Sequence, residues 1–110
     1  MSKKRRYTLT RLCRVRARLI LEAEVLFAEA KEAHARAEVA ARLPHLWLQA
    51  GGLFARAAQG YRSGGLGLMA RGAYEQSRDC YRRAGEDEKA EECEQRARDI
   101  PAYWEEAPHE

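Results

Sequence analysis

Between Leu9 and Leu43 the chain contains neither glycine nor proline. Its apolar or small positions recur there as Leu12, Leu19/Ile20, Ala23, Leu26/Phe27, Ala30, Ala33, Ala37 and Ala40/Ala41. Steps of three and four residues mark one face of a helix, so the pattern predicts a long helix over residues 9–43. At about 1.5 Å per residue it is a rod of roughly 50 Å. The stripe begins with large side chains and ends with alanines, which invites close approach of a second helix along its later half. Leu12, Leu19, Leu26, Ala33 and Ala40 also follow a heptad spacing, which makes the helix a candidate for self-association.

Pro44 ends this pattern and suits the first turn of the next helix, predicted over 44–62. Its inward positions are Leu46/Trp47, Ala50, Leu53/Phe54, Ala57 and Tyr61. Gly51-Gly52 leaves two outcomes open: a continuous helix that tolerates the pair, or a tight turn that divides it. GYRSGGLG, residues 60–67, reads as a loop. A third helix is expected from Leu66 to Ala84, with Met69, Ala73/Tyr74, Ser77 and Cys80/Tyr81 facing inward. Gly85 follows as its C′ residue. Glu86, Asp87 and Glu88 then suit the first turn of a fourth helix, whose seam is Ala90, Cys93, Ala97 and Ile100 before Pro101 stops it. The expectation is an all-α protein: a flexible basic arm over 1–8, one helical domain over 9–101 with its last hairpin at 66–100, and an acidic tail over 102–110. Tyr103 and Trp104 either drape that tail on the core or leave it mobile.

Length and composition agree with a single helical domain. The 110 residues suffice for one core, and 45% hydrophobic with 34% charged residues favours helix over disorder. A formal net charge of +3 conceals a steep asymmetry. Residues 1–18 hold eight basic side chains and no acid, whereas residues 85–110 hold ten acids against three bases. Lys3, Lys4, Arg5, Arg6, Arg11, Arg14 and Arg18 are therefore candidates to neutralise nucleic-acid phosphates or an acidic protein surface. Arg11, Arg14 and Arg18 share one helical side.

Catalytic chemistry finds no support. Cys13, Cys80 and Cys93 are odd in number and lack metal spacing, so reduced thiols in a cytoplasmic protein are expected. His34, His45 and His109 are isolated, and the glycine loop lacks the GK[ST] ending of a phosphate loop. No nucleophile and base lie at a useful spacing. The sequence thus predicts no enzyme, no metal and no cofactor. No apolar run approaches a membrane span, and Glu22 and Glu24 interrupt the segment that otherwise resembles a signal peptide.

One stretch carries more information: YEQSRDCYRRAGEDEKAEECEQRARDIP, residues 74–101. Tyr74 and Tyr81 stand two turns apart, and Ala90 and Ala97 on the facing helix accept their bulk across a reversal at Gly85. Residues 70–101 resemble a tetratricopeptide repeat at Tyr74, Tyr81, Gly85, Ala90, Ala97, Ile100 and Pro101. Ser77 stands where a leucine is usual, Arg78 where a small residue is, Asp87 where an aromatic is, and Glu94 where a bulky residue separates the alanines. The second-helix spacing recurs upstream as Ala57-x3-Tyr61-x2-Gly64 and Ala23-x3-Phe27-x2-Ala30, at intervals of 33 and 34 residues. The resemblance implies a protein-binding scaffold whose groove side includes Glu75, Asp79 and Arg82. The same charges also read as solvated helix pairs, Glu75 with Arg78 and Asp79 with Arg82. A protein partner and a homo-oligomer are the expected associations, with nucleic acid as the alternative and no membrane.

Overall fold

The computed structural model describes the backbone of residues 3–40 and 43–101, and the side chains of residues 13–40 and 43–101. Four helices account for it: α1 (Lys3–Val39), α2 (Pro44–Ser63), α3 (Gly67–Arg83) and α4 (Asp87–Arg98). The described residues form no strand, and each helix packs mainly on its neighbours in the chain. The protein is all-α. Helix α1 starts at Lys3 rather than Leu9, so the backbone of residues 3–8, expected as an arm, continues the helix. Lysine and arginine are good helix formers, and no glycine or proline intervenes. The tail over 102–110, with Tyr103 and Trp104, lies outside the described residues.

Helix α2 runs unbroken through Gly51-Gly52, which decides the alternative that the sequence leaves open. Pro44 occupies its first turn, where the missing N–H costs nothing. The loop expected over 60–67 is far shorter, because α2 continues to Ser63 and α3 begins at Gly67.

The two reversals that follow are built alike. At the first, Leu66 N–H donates to Tyr61 C=O and Gly65 N–H to Arg62 C=O. At the second, Glu86 N–H donates to Tyr81 C=O and Gly85 N–H to Arg82 C=O. Each is a Schellman turn, with its glycine in the left-handed region at φ 85° for Gly65 and 80° for Gly85. The residue after each glycine immediately caps the next helix, its carbonyl accepting from Ala70 or Ala90. Behind this geometry stands a sequence pattern that recurs after twenty residues. Ala50-x-Gly52-x-Phe54, Tyr61-Arg62 and Gly65 become Ala70-x-Gly72-x-Tyr74, Tyr81-Arg82 and Gly85.

The core is aromatic rings laid on alanines. Trp47, Phe54 and Tyr61 recur every seven residues on α2 and are buried. Toward the start of α2, Trp47 and Phe54 share a cluster with Ala30, Ala33 and Ala37 of α1. Toward its end, Tyr61 joins Ala23 of α1, Ala70, Ala73 and Tyr74 of α3, and Cys93 and Ala97 of α4. Phe27 bridges the two clusters edge-on, with ring centroids 5.3 Å from Phe54 and 6.1 Å from Tyr61. Small residues on one surface let the backbones close until the rings of the other fill the space.

Gly51 serves the same end. A Cβ there would sit 3.1 Å from the Tyr81 ring, so its hydrogen is what allows Tyr81 to lie on α2. Tyr81 therefore packs between α2 and α4 and does not rest on Ala90 alone. Beside it, Ser77 is fully buried and donates its hydroxyl to Gly51 C=O at 2.6 Å. The thiol of Cys93 donates to the same hydroxyl oxygen at 3.3 Å. One side chain thus links three helices with its polar atom satisfied. That is why serine, and no leucine, stands at this position.

Two expectations need correction. Met69 is 45% exposed, and its neighbour Ala70 takes the buried position at a tighter approach to α2. Cys80 and Cys93, both expected on inward seams, do not share one cluster: Cys80 joins the one around Trp47, and Cys93 the one around Tyr74.

Two glycines separate backbone strain from space. Neither Gly72 nor Gly85 has any atom within 4 Å of an added Cβ, yet only Gly85 has positive φ. Gly72→Ala should stabilise the protein by about 0.5–1 kcal/mol through helix propensity. Gly85→Ala should destabilise it by roughly 1–2 kcal/mol. Paired thermal melts check both signs, and a loss for Gly72→Ala would refute the assignment of α3 as regular helix at that residue.

Candidate protein-interaction surface

Helix α3 is the middle layer of the last three helices. Its buried side carries Ala70, Ala73, Tyr74, Ser77 and Cys80. A residue one or two places from these faces outward, and this puts Glu75, Asp79 and Arg82 in solvent. The three do not pair as the helix spacing suggests. Asp79 receives the Arg78 Nε at 3.0 Å, while Arg82 reaches across to Glu94 of α4 at 3.2 Å. Glu94 also accepts from Arg78 at 3.4 Å and from Arg98 at 3.0 Å. Three arginines around one carboxylate explain why a charged residue replaces the bulky one expected between Ala90 and Ala97. The Asp79 hydrogen bond is the largest influence raising the Arg78 guanidinium above its ordinary value; the charges of Asp79, Glu94 and Glu75 add to it, and desolvation opposes it. Glu75 thus acts on this network through its field. The surface is a patterned set of both signs fixed between two helices.

The opposite side of the hairpin holds a cleft of about 220 Å³ between α2 and α4. Tyr74 and Tyr81 of α3 form its floor, with Arg56 on one wall and Lys89, Glu92 and Arg96 on the other. Arg96 is hydrogen-bonded to Tyr74, the main reason its charge is held above the ordinary value. The Lys89 ammonium lies 5.7 Å from the centre of the Tyr81 ring. The sequence does not reveal this cleft, because Arg56 and Arg96 become neighbours only when α3 folds between their helices.

Arg14 and Arg18 are exposed on α1. Arg16 turns instead to the α2–α3 reversal, where its Nε donates to Gly64 C=O at 3.1 Å. The backbone of Lys3, Lys4, Arg5, Arg6 and Arg11 is helical, and their side chains lie outside the described residues. His34 is half-buried, edge-on to Trp47 at 5.2 Å, with Glu38 3.4 Å from its Nδ1.

Among the described residues no three His, Cys, Asp or Glu side chains are placed to hold a metal, and no helix is long and apolar enough to cross a membrane. The buried thiols are held in their unreactive form. Burial pushes Cys80 from an ordinary 9.0 up to about 11, and burial raises Cys93 as well. Burial raises the phenols of Tyr61 and Tyr81 as well. The stability these neutral groups contribute is complete below the ordinary thiol value and is lost as pH rises from 9.0 through about 11, because the unfolded chain ionises first. Melting temperature should therefore hold near neutrality and fall beyond about pH 9, less steeply in Cys80→Ala. A Cys80→Ala profile parallel to that of the native chain would refute this cause.

Compared with known proteins, the chain matches no family model, no curated protein and no solved structure.

Proposed function

We propose that this chain is a non-enzymatic protein–protein interaction and assembly module, its last hairpin similar to a tetratricopeptide repeat. The observation that carries the reading is the division of labour on α3. One side is used for packing through Tyr74, Ser77 and Cys80, while the other presents Asp79 and Arg82 paired with Arg78 and Glu94, and Glu75 exposed beside them. A charge pattern held between two helices suits recognition of a partner of complementary pattern, because like-charged competitors are repelled. The protein partner binds there by position, as the repeat resemblance implies, and α1 contributes self-association.

Affinity capture with the native chain and with a Glu75→Ala/Asp79→Ala/Arg82→Ala variant tests this. The variant should keep its helicity and lose the captured partner by tenfold or more. Undiminished capture by the folded variant rules out this face.

A second reading, contact with nucleic-acid phosphates, rests on exposed Arg14 and Arg18 at the basic end of α1. Titration with duplex DNA should then show binding that falls steeply with salt and disappears when residues 3–18 are removed. Salt-independent binding, or none at low salt, excludes it.

A further inference from the structure

The heptad seam that the sequence offers for pairing, with Leu19, Leu26 and Ala33, faces α2 inside the chain: Ala33 is 2% exposed and Leu26 packs on the core. Helix α1 nonetheless carries a second apolar line on its opposite side. Leu21, Val25, Ala28, Ala35 and Val39 follow steps of three, four and seven residues, and all five are exposed. Leu21 retains 63% of its surface, Val25 60% and Val39 90%. The far end of the helix stack differs. There α4 turns Glu88, Glu91, Gln95 and Asp99 outward, the polar closure that a terminal helix needs. One end of this stack is capped and the other is not.

We propose that the outer face of α1 is covered by a second copy of this chain lying antiparallel, Leu21 and Val25 of one copy against Val25 and Leu21 of the other. The charges on the line select that direction. Arg14, Arg18 and Glu32 interrupt it at the same spacing. Parallel pairing in register places each of them against its own like charge, which destabilises a helix pair. Antiparallel pairing about Leu21 and Val25 brings Arg14 opposite Glu32 twice, once on each side of the apolar centre. It also sets the aliphatic stem of Arg18 over Ala28. The contact is isologous and closes on itself.

The contact is also small. Residues 14–32 span roughly 27 Å of helix, and a strip about 10 Å wide over that length falls well short of the roughly 800 Å² per partner in a standard stable interface. The dimer is therefore a weak, concentration-dependent species. It deepens the assembly reading above and rests on it, but uses none of the α3 charges.

Sedimentation equilibrium from about 5 μM to 1 mM, with nitroxide labels on Cys13, tests the proposal. Cys13 is exposed while Cys80 and Cys93 are buried, so the native chain is labelled at one described site. Antiparallel pairing in this register separates the two labels by about 30 Å, and parallel pairing brings them within about 15 Å. Leu21→Glu/Val25→Glu should abolish the dimer with helicity kept, and Met69→Glu, which alters an exposed apolar residue of α3, should leave it. Glu32→Arg should weaken it about tenfold, and Arg14→Glu/Glu32→Arg should restore it. A monomer at 1 mM, a label distance below about 15 Å, or a double variant no tighter than the single one overturns the proposal. Loss of the dimer with partner capture intact sinks this inference alone. Undiminished capture by the folded α3 variant with the dimer intact rules out the α3 face and leaves this inference standing.

Discussion

Close approach of helix backbones is the constraint on which the rest of this structure depends. Alanine buries little apolar area, so a core made of Ala23, Ala30, Ala33, Ala37, Ala57 and Ala73 gains little from each of them. What alanine supplies is proximity. It lets the rings of Trp47, Phe54, Tyr61 and Tyr74 be buried between helices, where each contributes more apolar area than an alanine does. Gly51 carries the same logic one atom further, because the Tyr81 ring occupies the space a methyl group would fill. A larger side chain at any of these contacts would separate two helices along their length.

Proximity then dictates the polar chemistry. A hydroxyl buried between packed helices must find its partners in the protein. Ser77 does so by joining Gly51 C=O to the Cys93 thiol. The described side chains leave no buried nitrogen or oxygen without a partner. Charges are expelled to the rims, where Glu94 gathers Arg78 and Arg82 across the α3–α4 line and Arg98 of its own helix. The reversals obey the same limit. A Schellman turn satisfies the last carbonyls of one helix within two residues of the next, and this starts the next helix directly beside the last.

Such a design divides surface from core strictly, and this bears on function. Cys80 and Cys93 are committed to packing, and burial holds both as neutral thiols. Patterned charge on α3, a basic cleft floored by tyrosines, and an apolar line on α1 remain exposed. The proposed partner contact draws on the first of these and the proposed pairing of copies on the last.

Much of this was legible in the chain itself. Helical spacing located all four helices, and Trp47, Ala50, Phe54, Ala57, Tyr61, Ala90, Cys93, Ala97 and Ile100 are buried where the apolar period puts them. Gly85 announced its turn, since a left-handed residue after a helix is a local requirement. Local backbone energetics and periodicity determine such features, and both are written in neighbouring residues. The buried line of α1, Ala23, Ala30, Ala33 and Ala37, was legible in the same way, but what covers it was not local: α2 of the same chain does, because its rings fit those small residues closely. Ala70 displaced Met69 for the same reason, because fit at close range outweighs hydrophobicity at a single position. Arg82 paired with Glu94, and Arg78 divided itself between Asp79 at 3.0 Å and Glu94 at 3.4 Å, because α4 brought a carboxylate between the two arginines. Tertiary structure decided these points, since each depends on distances between helices that no spacing within one helix contains.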